Sequence, residues 1–318
     1  MTTMTRRRLA STLLVVVATA FATVGCASAP DRAHEANELE GAIRVMPGVA
    51  SVVVDYENSF GRGSTLHVNV SVPDATAEQI AAVADTINRV RGDKFGEYDQ
   101  SAEFFVTASP PSVRVKRAAY LDPGQIAEDA VLLRRFAADI KAEEISWSRG
   151  NQTVGSRLDI NEVTTAIPET FAAIRAILGG TTAMVADIRP ADPADTPLWR
   201  VTFPFTPEQQ VRIDQQIAAM PGRVVAITVR ENAVITLLNV ALKDPATAYD
   251  DLKAVIAITG AGPTRPLWLR WMPSSELPSG PSGFVIVGGC SYPGQTGDNH
   301  PGNDIEERLR KEFDTCPR

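Results

Sequence analysis

The chain is short of the side chains that carry most enzymatic chemistry: its 318 residues include only 3 histidines and 3 cysteines. His34 opens the stretch "HEANE", whose fifth residue is Glu38, so the second ligand of a His-Glu-x-x-His zinc site is missing. His67 falls on the polar side of an alternating pattern. His300 sits in the loop "GQTGDNHPGND" beside Asp298 and Asp304, with the spacing of no known cation loop. There is no Gly-x-Ser-x-Gly elbow, no Gly-x-x-x-x-Gly-Lys loop and no Cys-x-x-Cys pair. These absences leave no motif for a metal, nucleotide or other cofactor, and none is expected. A hydrolase here would have to rest on a carboxylate pair, which a sequence does not locate. Positive charge is also scarce. The net charge is −7, and a surface of that sign excludes nonspecific nucleic-acid binding and electrostatic docking on anionic lipid.

Long apolar runs are absent as well. The 16 uncharged residues Leu9–Val24 fall short of the ~20 that cross a bilayer as a helix. They follow Arg6, Arg7 and Arg8 and end in small residues, which is the plan of a secretory signal. The exit, "TVGC" at Thr23–Cys26, resembles the lipobox of bacterial lipoproteins, although Thr23 stands where that family usually has an aliphatic residue. The resemblance implies diacylglycerol on the sulfur of Cys26, as in palmitate-bearing lipoproteins, and removal of residues 1–25. The mature chain would then carry a charge near −10. Two alternatives stand beside it: cleavage after Ala29 behind "ASA", or an uncleaved anchor. "TRRRLA" leaves the export route open between the general and twin-arginine systems. Two acyl chains hold a protein on a membrane where one binds reversibly. The expected location is therefore the extracytoplasmic face of the cell membrane. Cys290 and Cys316 then remain, and in an oxidising compartment a disulfide between them is expected.

Residues 26–33, small and polar with one proline, read as a tether. Beyond them, pairs of β-rich segments alternate with helical patterns. Leu66, Val68, Val70 and Val72 share one strand face, and His67, Asn69 and Ser71 the other. Thr76 and Gln79 form a capping box ahead of a stripe at Ile80, Val83, Ile87 and Val90. A longer period of about 130 residues overlies this unit. "GAIRVMPGVASVVVDY" at Gly41–Tyr56 aligns with "AAIRAILGGTTAMVAD" at Ala172–Asp187, and "TAEQ" at Thr76 with "TPEQ" at Thr206. The expectation is a duplicated α+β chain, with halves 34–160 and 161–318, helices lying on one face of antiparallel hairpins.

Each half resembles a ferredoxin-like sandwich. "GAIRVMPGVASVVVDY" in particular is similar to the opening of BON-type and heavy-metal-associated modules, a helix leading through an x-Pro-Gly-Val turn into a strand. BON modules imply contact with phospholipid or envelope. The metal-binding cysteines of the other family are missing, so metal delivery does not carry over.

Four tryptophans remain as ligand-binding candidates, most of them expected in the core. In "PLWLRWMP", Trp271 shares a face with Leu267 and Leu269, and Trp268 points with Arg270, so one of this pair is expected at the surface. Together these features favour a non-catalytic binding or scaffold protein anchored in the cell envelope, with an envelope protein, a glycan or a small ligand as partner. A carboxylate-dependent envelope hydrolase and a module packing on lipid or envelope polymer are the alternatives.

Overall fold

Alternating burial along each strand leaves one row of apolar side chains to be covered, and amphipathic helices cover it. The computed structural model describes residues 29–59, 61–149, 155–178, 183–244, 246–273, 283–290 and 304–316. The expected signal segment, 1–25, and Cys26 lie outside these residues, as does His300. Helix α1 (Ala33–Arg44) precedes the hairpin β1 (Ser51–Ser59) and β2 (Gly63–Ser71), and α2 (Ala77–Arg91) follows it. The pattern repeats through β3 (Asp99–Phe105), β4 (Ser112–Arg117) and α3 (Pro123–Asp139), then β5 (Glu144–Arg149), β6 (Arg157–Val163) and α4 (Ile167–Leu178). It continues with β7 (Met184–Pro190), β8 (Leu198–Phe203) and α5 (Pro207–Ala218), then β9 (Arg223–Arg230), β10 (Val234–Leu242) and α6 (Ala248–Thr259). The last unit is β11 (Leu267–Pro273), β12 (Gly283–Val287) and α7 (Asp304–Phe313).

All twelve strands form one sheet in the order of the chain. Each hairpin is antiparallel, and consecutive hairpins join through parallel neighbours such as β2 with β3 and β6 with β7. The class is α+β, as expected, but the arrangement corrects two details. The sheet is mixed and not purely antiparallel. A ferredoxin-like sandwich separates the two strands of each crossover by a third; here they are hydrogen-bonded neighbours. The expected boundary between residues 160 and 161 falls inside β6, which pairs with β5 on one side and β7 on the other.

Helix starts follow local chemistry. Thr76 and Thr206 each accept from the N–H three residues on, and Gln79 and Gln209 reach back to complete two capping boxes. Asp122 caps α3, with Pro123 in its first turn. The "MPGV" turn depends on Gly48, at φ +85°, where a Cβ would stand 2.8 Å from the Cβ of Ala75. The helices bury one side of the sheet in a continuous core, from Leu39 and Ile43 of α1 through Val68, Phe104, Trp147, Ile188, Val229 and Leu269 to Leu309 of α7.

One ionic cluster interrupts that core. Asp129 of α3 is buried and contacts Arg117 of β4, while Arg149 of β5 reaches both its oxygens at 2.8 Å. Burial holds the Arg117 guanidinium below its ordinary pKa, and Asp129 offsets part of that effect. Arg149 in turn stacks over Trp147, 4.6 Å from the ring centroid.

At the other end of the chain, α1 packs beside β1, and Glu40 accepts the N–H of Val54 at 3.2 Å. An edge donor of the sheet is thereby closed.

Replacing Asp129 with Ala strands a buried arginine and should cost about 3–5 kcal/mol in urea unfolding. Thr206→Ala removes only a helix cap and should cost about 1 kcal/mol in the same measurement. Equal losses would contradict the buried-charge account.

Candidate functional site

Strand residues that point away from the helices make the second face of the sheet, and among the described residues no helix packs on its centre. Across β3 to β8 this face is a ladder of charge. Arg114 pairs with Glu103 at 3.1 Å and contacts Glu144, and Lys116 lies 3.4 Å from Glu103. Arg157 pairs with Asp159 at 3.0 Å and Asp187 at 2.9 Å, and Arg200 with Asp187 at 2.6 Å. Opposite charges sit on neighbouring strands, the arrangement that stabilises cross-strand pairs. Cations alternate with the carboxylates along the ladder, and Asp159 stands directly opposite Asp187 with Arg157 reaching both. On β2, His67 Nδ1 lies 2.7 Å from Ser101 Oγ across the parallel pair. His34 is exposed on α1 and pairs with Glu38 at 3.2 Å, one helical turn on.

Towards β12 the face turns aromatic. Trp268 is 44% exposed and meets Phe284 edge to face, with ring centroids 5.5 Å apart. Arg270 lies over the same Phe284 ring at 5.6 Å. Trp271 points the other way and is 2% exposed. It fits there because its partner across the pair is Gly283; a Cβ at that position would fall 2.0 Å from the indole. Of the two tryptophans taken as ligand-binding candidates, Trp271 is core and only Trp268 offers a surface. Trp147 and Trp199 are also buried.

The junction between the two expected halves is a parallel strand pair, with a register shift between Ile160 and Val163, and not a cleft. A depression of about 280 Å³ lies at the ends of β6 and β7, with Asp192 as its one titratable side chain. A smaller apolar pocket of about 170 Å³ is formed by Leu178, Phe203, Phe205 and Pro207 beside Arg175. The Arg175 guanidinium already donates to Gln210 at 3.1 Å and to the carbonyl of Phe205.

The chain is similar to a flagellar P-ring protein of Pseudomonas putida. The two are 27% identical over 189 residues, which cover 57% of this chain and 50% of that protein, so the chain spans about half the length of the relative. No family model matches the chain. No solved structure matches it. Among the described residues no helix is long and apolar enough to cross a membrane.

At the carboxyl end Cys290 and Cys316 are bonded, with their Cα atoms 4.5 Å apart. The bridge sits where backbone bonds already bring α7 to the end of β12: Gly288 donates to the carbonyl of Phe313 at 3.0 Å, and Thr315 to that of Gly289 at 2.9 Å. On its other side α7 meets α6. Glu312 accepts from the Tyr249 phenol and pairs with Lys253 at 2.7 Å, and Arg308 lies 3.5 Å over the Tyr249 ring. The contact with Lys253, followed by that with Tyr249, holds the Glu312 carboxyl below its ordinary pKa. This stabilising contact is present above the usual glutamate value and is lost on acidification below it. Paired cysteines could be anticipated from their number; the Tyr249–Glu312–Arg308 contacts had no sequence signal.

Two measurements separate the roles of these residues. Trp271→Ala opens a cavity in the core and should cost about 3–5 kcal/mol, whereas Trp268→Ala should stay within about 1 kcal/mol. Denaturant unfolding of both variants decides it. Cys290→Ser releases a bridge with a sequence separation of 26 and should cost about 3–4 kcal/mol by loop-closure entropy. A thermal melt of that variant, compared with the reduced wild type, should show matching losses.

Proposed function

We propose that this chain is a non-catalytic scaffold or binding protein of the bacterial cell envelope, held on the extracytoplasmic face of the membrane by lipid on Cys26. The observation that carries this reading is the likeness to a flagellar P-ring protein over 189 residues, in a chain whose residues 1–25 have the pattern expected of a secretory signal. The disulfide between Cys290 and Cys316 accords with an oxidising compartment. The similar element order and paired capping boxes on either side of α4 accord with an ancient duplication. A broad sheet with one solvated face, matched charges and an aromatic end suits contact with another protein or an envelope polymer. Such a face offers extended surface and little enclosed volume.

Expression of the full-length chain with a labelled fatty acid tests the reading. Label should appear on the wild type in the membrane fraction and be lost from Cys26→Ala, which should move to the soluble extracytoplasmic fraction. An unlabelled wild type, or one retained in the cytosol, would contradict it.

A further inference from the structure

The first described residues are fastened to the fold. The carbonyl of Ala29 accepts from Asn58 Nδ2 at 2.8 Å, and Asn58 Oδ1 accepts from Ser64 at 2.9 Å. The carbonyl of Pro30 accepts from the Tyr98 phenol. Arg32 donates its N–H to the Tyr56 phenol at 2.7 Å, and Tyr56 donates to Asp31 Oδ1 at 2.8 Å. The two phenol oxygens are 3.0 Å apart. Burial, and then the bond with Tyr56, raises the Tyr98 hydroxyl above its ordinary pKa. Each residue from Ala29 to Arg32 is thus tied to β1 or to the loop that ends just before β3. Of the stretch expected as a tether, 26–33, the portion from residue 29 onward is part of the body.

Only Ala27 and Ser28 separate Cys26 from this docked segment. Three Cα steps span at most about 11 Å whatever their conformation. The lipid-anchor reading above supplies the acyl group. Resting on it, we propose that the corner of the sheet made by the β1–β2 turn, the loop between α2 and β3 and the start of α1 is the membrane-facing end. The rest of the sheet stands away from the lipid. Twelve strands at the usual spacing place the β12 edge up to about 50 Å from β1.

Charge does not draw this corner to the lipid. Residues 31–38, 57–59, 61–62 and 93–97, which form this corner, carry six carboxylates against three cations. An anionic bilayer repels such a surface over about 10 Å at ordinary salt. The short link and its acyl chains do the holding. The open face with Trp268 is presented beyond the headgroups, where a partner in the envelope space can reach it.

The test uses the acylated full-length protein in vesicles of phosphatidylcholine and phosphatidylglycerol carrying an acceptor dye at the headgroup. A donor dye is placed on Arg62→Cys in the β1–β2 turn or on Asp250→Cys in α6. Energy transfer to the lipid should be several-fold greater from position 62 than from position 250. A spacer of twelve glycine and serine residues between Ala27 and Ser28, which adds roughly 20 Å of mean reach, should bring transfer from position 62 down towards that from 250. So should the paired change Tyr56→Phe and Asn58→Ala, which unfastens the segment. Equal transfer from the two positions, or no response to the spacer, would overturn the proposed orientation while leaving the anchor intact. Protein that carries no acyl group and does not bind the vesicles would overturn the anchor reading and this inference with it.

Discussion

The parallel hydrogen bonds between β6 and β7 hold the molecule together as one body. Each hairpin–helix unit is too small to bury its own apolar face, and units gain stability only by extending a shared sheet. From Leu158 opposite Ala186 to Ile160 opposite Ile188, the ladder joins the first six strands to the last six. The helix-side core passes across the same line without a gap. What looks like two halves in sequence is therefore one plate with a covered face and an open one.

Much of this plate was legible in the residues. Alternation in β2, the two capping boxes and the glycine turn after α1 all report local constraints, and local constraints survive folding. The opposed faces of Leu267, Trp268, Leu269, Arg270 and Trp271 followed from the period of a strand. Strand order did not follow. Alternation tells which side of a strand is buried but not which strand lies beside it, so a sequential mixed sheet and a ferredoxin-like sandwich demand the same pattern. The docked segment was equally hidden. Tyr56 and Tyr98 stand 42 residues apart in no motif, and only their convergence on Ala29–Arg32 shows that they bind backbone. Asp129 looked like any helix acid, because its arginine partners come from two other elements.

The proposed function rests on this shape more than on any single residue. Opposite charges pair along the open face, and its aromatic end is anchored by Phe284 and Arg270. Both ends of the described body are fastened: Ala29–Arg32 by phenols and Asn58 against β1, and the last described residues by a disulfide and α7 against β12. The plate is thereby stiffened at the edges where an open sheet would otherwise fray.

Amide hydrogen exchange across β6 and β7 tests the single-sheet claim most directly. The account predicts that Ala186 and Ile188 are as strongly protected as residues deep in β2 and β10, and that all are released together in one cooperative opening. Fast exchange confined to the β6–β7 junction, with slow exchange on either side, would mean two separately folded halves and would contradict it.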